Sequence, residues 1–165
     1  IKKAVASLKG IPGRVQFIDC SQDFQVVVDY AHTADSMEKL YKAFDKTRKI
    51  CVFGATGGGR DKWKREEMGK IADTYCDEII LTDDDSYDED TKSILLDVAK
   101  GIKNRQPAII IDRRQAIAEG IKKARSRDVV LITGKGTDPY LMGPNGTKIP
   151  WSDANIAKGE LERLH

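Results

Sequence analysis

This sequence predicts an α/β fold, doubly wound around a mostly parallel sheet. Three observations carry that expectation. The runs "KICVF", "EIIL" and "VVLIT" are short and wholly apolar, the pattern of strands buried on both faces. Segments with helical periodicity separate them, which is the arrangement that parallel pairing requires. Each run also passes into a polar, glycine- or aspartate-rich stretch, as expected where a sheet gathers ligands at its carboxyl ends.

Taken in order, residues 1–10, "IKKAVASLKG", read as the end of an amphipathic helix whose start is missing. The expectation is therefore a single domain over 1–165, cut from a longer polypeptide, with 1–10 belonging to a linker or to the preceding domain. Ile11-Pro12-Gly13-Arg14 then punctuates the chain, and "VQFIDC" and "FQVVVDY" form a hairpin around Ser21-Gln22-Asp23. Met37, Leu40, Tyr41 and Phe44 recur at helical spacing, which predicts a helix over 34–46. "KICVFG" is a strand, and Trp63, Met68, Ile71, Ala72 and Tyr75 mark a helix over 62–75. "EIILT" leads through "DDDSYDED" to a helix over 94–102, and "AIIID" leads to a helix over 113–124. "DVVLIT" runs into Gly134-Lys135-Gly136, and Ser152 or Asp153 caps a final helix. The whole is a Rossmann-like sheet with an N-terminal β-hairpin.

At 165 residues the chain closes one sizeable core without cross-links. Charged residues are 33% of the total yet sum to +2, which argues against a broad nucleic-acid-binding face and for local clusters of charge. Cys20, Cys51 and Cys76 are odd in number and show no CxxC, so the expectation is buried, reduced thiols in a cytoplasmic protein. No apolar run approaches the ~20 residues of a membrane span.

The stretch "GATGGGRDKWKR" after the third strand is the strongest candidate site. Glycines there let backbone N–H groups approach an anion, and a basic cluster at a helix start opposes the macrodipole unless it meets negative charge. The pattern is not a P-loop, because Arg60-Asp61 stands where Lys-Ser/Thr is needed, and it is not GxGxxG in any register after the strand. His32 follows a strand end and can bond a substrate or a phosphate, although a lone loop histidine is more often structural. Asp29 can accept from a ribose hydroxyl or cap the following helix. Lys135, between glycines, suits a phosphate or a carboxylate, or is simply exposed in a tight turn. Three consecutive aspartates cannot all face one ion without an unusual turn, so the acidic loop is read as solvated and no metal site is assigned.

In this order, "IPGRVQFID", "VVVDYAHTADSMEKL", "CVFGATGGGRDKWKREEMGKIA", "IILTDDDSYDED", "IDRRQAIAEGIKKA" and "VVLITGKGTDPY" resemble the carboxy-terminal domain of the Mur ligases. Of these, the resemblance is to the MurE type, UDP-N-acetylmuramoyl-tripeptide synthetase. It implies one domain of a cytoplasmic, three-domain enzyme of peptidoglycan synthesis. That enzyme uses ATP and Mg²⁺ to form an acyl phosphate on UDP-N-acetylmuramoyl-dipeptide, which an incoming amino acid attacks. It also implies that the P-loop and the main grip on ATP and Mg²⁺ lie in a central domain without a counterpart here, so the isolated domain is expected to be inactive. The partners implied are the amino acid, the UDP-linked dipeptide and the amino-terminal and central domains. Nucleic acid and membrane are not among them.

Carried over residue by residue, the resemblance gives Arg14 and Asp29 to the nucleotide, Asp29 at the ribose. His32 and Lys62 fall near the reacting groups, and Arg60 pairs with the carboxylate of the incoming amino acid. Gly134, Lys135 and Asp138 border the far end of that amino acid. In relatives that add diaminopimelate, Asp-Asn-Pro-Arg follows the fourth strand, and its arginine reads the distal carboxylate. Asp84-Asp85-Ser86-Tyr87 takes that place here, so Asp84, Asp85 and Tyr87 suggest an amino acid with a cationic end, such as lysine or ornithine, over diaminopimelate. Thr137 replaces a histidine of the pattern, and Asp138 a glutamate. Two other readings compete: a stand-alone module that binds a nucleotide or small anion and regulates a partner, and a folylpolyglutamate synthetase-like ligase.

Overall fold

The computed structural model describes residues 11–59 and 61–164. The expectation of a helix end over 1–10 and the role given to Arg60 lie outside the described residues. Strands β1 (Gln16–Phe17), β2 (Gln25–Asp29), β3 (Lys49–Phe53), β4 (Glu78–Leu81), β5 (Ala108–Ile109) and β6 (Val129–Thr133) form one sheet in the order β1-β2-β6-β3-β4-β5. Only the β1–β2 pair is antiparallel. All other neighbours are parallel, from Gln25 opposite Val129 to Leu81 opposite Ile109.

Helices cover both faces. On one side, α1 (Ala34–Ala43), α2 (Lys62–Tyr75) and α3 (Thr91–Ala99) pack Met37, Tyr41, Met68, Ala72, Ile94 and Val98 against Val27, Phe53, Leu81 and Leu131. On the other, α4 (Arg113–Lys123) and α5 (Asp153–Glu162) pack Ile117, Ile121, Ile156 and Leu161 against Val26, Val52, Ile80 and Ile132. Successive residues of one strand feed opposite cores, as the period of two demands. That is why β3 and β6 are apolar throughout.

The N-terminal hairpin exists but is looser than a tight turn. β1 is two residues long, and residues 18–24 bridge to β2, with Gln22 accepting from the Cys20 N–H and donating to the Ile18 carbonyl. Helix α1 stops at Ala43, short of the expected 46. Its first turn is closed by a capping box between Thr33 and Ser36. Asp90 caps α3, which begins three residues before the expected start, and Ser152 caps α5. A second hairpin, β7 (Tyr140–Met142) with β8 (Lys148–Pro150), was not foreseen.

The cysteine expectation is corrected. Cys51 and Cys76 are joined by a disulfide between β3 and the end of α2, and Cys20 alone is free. Strand β3 and the α2 C-cap place their Cα atoms 6.1 Å apart inside the core, which sequence spacing does not reveal.

Candidate functional site

The loops after β2, β3, β4 and β6 meet at the carboxyl edge of the sheet, and glycines set how closely. A Cβ on Gly54 would lie 2.1 Å from the Thr82 carbonyl oxygen, and one on Gly57 would lie 2.0 Å from that of Ser86. These two glycines let the β3–α2 loop lie flat against the β4–α3 loop, where the Gly57 N–H donates to the Asp85 carbonyl at 2.8 Å. Gly58 and Gly59 instead take left-handed backbone, with φ of 75° at each.

The basic start of α2 already has anionic partners. Arg65, 2% exposed, forks onto Glu89 with two bonds of 2.8 Å and also donates to Asp97 and to the Thr56 carbonyl. The exposed Lys62 lies 3.1 Å from the same Glu89, and Lys64 pairs with Asp61. Hydrogen bonds from Arg65 are the main reason that the Glu89 carboxyl titrates far below its usual range, at about 2. Glu89 also accepts from the Gly59 N–H, so it fastens the glycine loop to the helix behind it.

Arg14, Asp29 and His32 come together. Asp29 is buried, and its two oxygens accept from the Val15 and Ala31 N–H groups, each at 2.7 Å. It therefore organises the turn rather than capping α1, and it holds Val15 at a φ of 43°, unfavourable for a β-branched residue. A carboxylate oxygen keeps a second lone pair, so a hydroxyl can still be accepted. The Arg14 guanidinium lies 4.4 Å over the Tyr30 ring, and Tyr30 stands edge-on to His32 at 4.7 Å. His32 Nδ1 is 2.8 Å from the Tyr30 carbonyl, which only accepts, so the proton sits on Nδ1 and Nε2 is the acceptor of the neutral ring. His32 and Thr33 border two adjoining clefts of about 280 Å³ each, one beside Arg14 and Asp29, the other beside Gly57, Asp61 and Lys64.

A second cluster gathers Asp84, Asp85, Gly134, Lys135 and Asp138. Lys135 is 1% exposed, and its ammonium donates to both Asp85 oxygens at 2.8 Å, with Asp138 at 3.1 Å. Asp85 also accepts from the Met142 N–H. The first part of the acidic loop, Asp84 to Ser86, is thus buried and internally bonded rather than solvated, whereas Asp88 and Asp90 are exposed. Burial pushes the Asp84 carboxyl up to about 7, against the pull of Arg113 and Lys135. Tyr87 turns toward the glycine loop, its ring 3.7 Å from where a Gly58 Cβ would stand. Gly13 packs onto Thr137 and Gly136, joining the first cluster to the second. Among the described residues no group of three His, Cys, Asp or Glu is set to hold a metal ion.

Sequence reading missed Arg65, Glu89, Arg113 and Asp153. Arg113 is 2% exposed and forks onto the fully buried Asp153. Periodicity could have flagged three of the four: Arg65 is in phase with Met68, Gly69 and Ala72, Arg113 with Ala116, Ile117 and Gly120, and Asp153 with Ile156 and Ala157.

Residues 13–136 match the family described as Mur ligase, glutamate ligase domain. The UDP-N-acetylmuramoyl-L-alanyl-D-glutamate–2,6-diaminopimelate ligase of Syntrophomonas wolfei is 44% identical over 146 residues, covering 85% of this chain and 30% of that protein. The ligase of the same name from Bacillus licheniformis is 40% identical over 166 residues, covering 99% and 34%. A solved diaminopimelate ligase superposes with a TM-score of 0.86 at 33% identity, over 99% of this chain and 34% of that one. A bifunctional folylpolyglutamate synthase/dihydrofolate synthase from Yersinia pestis shares the fold, with a TM-score of 0.59 at 15% identity over 94% of this chain and 32% of that one. The chain spans about one third of the length of the curated relatives it matches.

Proposed function

We propose, from the premise that this chain belongs to the Mur ligase family in its glutamate ligase domain, that it is the amino-acid-binding and ATP-closing part of an ATP-dependent amide ligase. Its substrates would be UDP-N-acetylmuramoyl-dipeptide and the third amino acid of the peptidoglycan stem, joined in the cytoplasm. The observation that carries this reading is the meeting of the loops after β2, β3, β4 and β6, with Arg14, Asp29 and His32 on one side and Asp84, Asp85 and Lys135 on the other.

In this reading Arg14 and Asp29 face the nucleotide, His32 and Lys62 stand near the acyl phosphate, and Gly134, Asp138 and Tyr87 border the amino acid, whose carboxylate meets Arg60. The amine attacks the acyl carbon, phosphate leaves and an amide forms. The domain contributes position and charge more than bond-making groups. Asp29 fits a ribose, having lone pairs left after its two backbone bonds. Mg²⁺ and the main grip on ATP belong, in this reading, to the part of the ligase outside this chain. The amino- and central-domain portions of that polypeptide are its partners.

The amino acid added is one with a cationic end, because Asp85 and Asp138 share a single ammonium, that of Lys135. The names of the relatives favour diaminopimelate as the second reading. Phosphate release by the complete polypeptide, with ATP, the UDP-linked dipeptide and either lysine, ornithine or diaminopimelate, separates the two. Release with none of them refutes the ligase reading.

A further inference from the structure

Two bridges join the loop after β4 to the loop after β6. The outer one is the Lys135–Asp85 pair. The inner one is Arg113, whose Nη1 donates to the Asp83 carbonyl at 3.0 Å and whose Nη2 donates to the Thr133 carbonyl at 2.9 Å. Strand β3 lies between β4 and β6, so no ladder of the sheet ties these two carbonyls to each other. Each is the last backbone acceptor before a candidate binding loop: Asp83 precedes Asp84, and Thr133 precedes Gly134.

The same guanidinium is held from behind. Its Nε and Nη2 fork onto Asp153 at 2.9 and 2.8 Å, and the Trp151 indole N–H donates to Asp153 at 2.8 Å. Asp153 opens α5 and Arg113 opens α4, so two helices on the far face of the sheet anchor the bridge. The spacing it sets has no slack. A Cβ on Gly134 would stand 1.9 Å from an Asp84 carboxylate oxygen.

We propose that Arg113, oriented by Asp153 and Trp151, is a positioning residue that fixes the gap between the β4 and β6 loops, and with it the affinity for the incoming amino acid. This rests on the ligase reading above. A fork is needed because the group must address a carboxylate and two carbonyls from one plane, which a lysine ammonium on a single stem does not do. The nucleotide side, at Arg14 and Asp29, is tied by the Val15 and Ala31 N–H groups and meets the β6 loop through the Gly134 N–H, which donates to the Asp29 carbonyl at 3.2 Å, and Arg113 makes none of these bonds.

The test uses the complete polypeptide carrying Arg113→Lys, which keeps the charge beside Asp153 and loses the carbonyl tethers. The KM for the amino acid is expected to rise at least tenfold, with the KM for ATP and the kcat at saturating amino acid each within about twofold of wild type. Equal rises in both KM values, or no rise in that for the amino acid, overturn the proposal, since a purely structural role moves both together. Should Arg113→Lys show no cooperative melt, Trp151→Phe decides. It removes the indole donor and leaves the ion pair, and an at least twofold rise in amino-acid KM alone supports the proposal, whereas no change overturns it. Wild-type activity separates the two claims. An inactive wild type refutes the ligase reading and this inference with it, and an active wild type with unaltered variants refutes this inference only.

Discussion

Gly57→Ala should damage the molecule more than Gly59→Ala, although the left-handed φ belongs to Gly59. A methyl on Gly57 would stand 2.0 Å from the Ser86 carbonyl oxygen and 3.1 Å from Ile94 Cδ1. Neither a backbone oxygen nor a core isoleucine can step aside cheaply. Separating the two loops would also break the Gly57 bond to the Asp85 carbonyl. Overpacking of about 2 kcal/mol and a lost hydrogen bond of about 1 kcal/mol give a cost of about 3 kcal/mol. For a chain of this length that lowers the melting temperature by roughly 6–12 °C. Gly59 has a φ of 75°, but a methyl placed there would meet nothing within 4 Å, so alanine costs only the left-handed strain, about 1 kcal/mol and roughly 2–4 °C. Thermal denaturation followed by circular dichroism measures both. A Gly57→Ala variant that melts within 2 °C of wild type, with Gly59→Ala falling further, would refute the claim that close loop packing requires these glycines.

Glu89→Gln removes the bidentate partner of buried Arg65 and leaves Asp97 as its remaining carboxylate, and should cost about 2 kcal/mol at pH 7 in denaturant titration. The Glu89 carboxyl is held down to about 2, so its contribution is complete above its unfolded pKa near 4.5 and is lost as pH falls through about 2. Wild type should therefore lose more stability between pH 4.5 and 2 than this variant does. Asp84 has the opposite sign: its folded carboxyl binds a proton up to about pH 7, so stability falls as pH rises from about 4 to 7. Asp84→Asn should be more stable than wild type at pH 8, with the difference closing toward pH 4. A difference that stays constant over that range would contradict the burial argument. Denatured without reductant, the protein should take one thiol label, at Cys20, and three after reduction. Reduction should lower stability by about 3 kcal/mol, the entropy of opening a loop with a sequence separation of 25.

The central strands were legible because burial on both faces leaves a wholly apolar run, as in Ile50, Cys51, Val52 and Phe53. The edges were not. Ile109 and Ile111 read as strand residues, yet β5 ends at Ile109, and both side chains are exposed. The β7–β8 hairpin had a signal that went unused: Asn145-Gly146 adopts φ of 55° and 72°, the backbone that this dipeptide favours between short strands. At the candidate site, the loops were found from strand ends and glycines, but their internal bonding was not. Lys135 looked free between two glycines, whereas its partner Asp85 stands 50 residues away. Glu89 lies 24 residues from Arg65, and Asp153 lies 40 from Arg113. Pairings of that span depend on topology, which local pattern does not encode. Helical phase exposes a buried arginine but never names its acceptor.

The central claim is that these loops serve an amide ligase, and the most direct test is amino-acid-dependent ADP formation by the complete polypeptide purified from its source cells. With ATP, UDP-N-acetylmuramoyl-dipeptide and an amino acid all present, ADP and a UDP-linked tripeptide should form in equal amounts, and omission of any one should stop both. ADP formed without the amino acid, or no tripeptide with lysine, ornithine or diaminopimelate, would contradict the account.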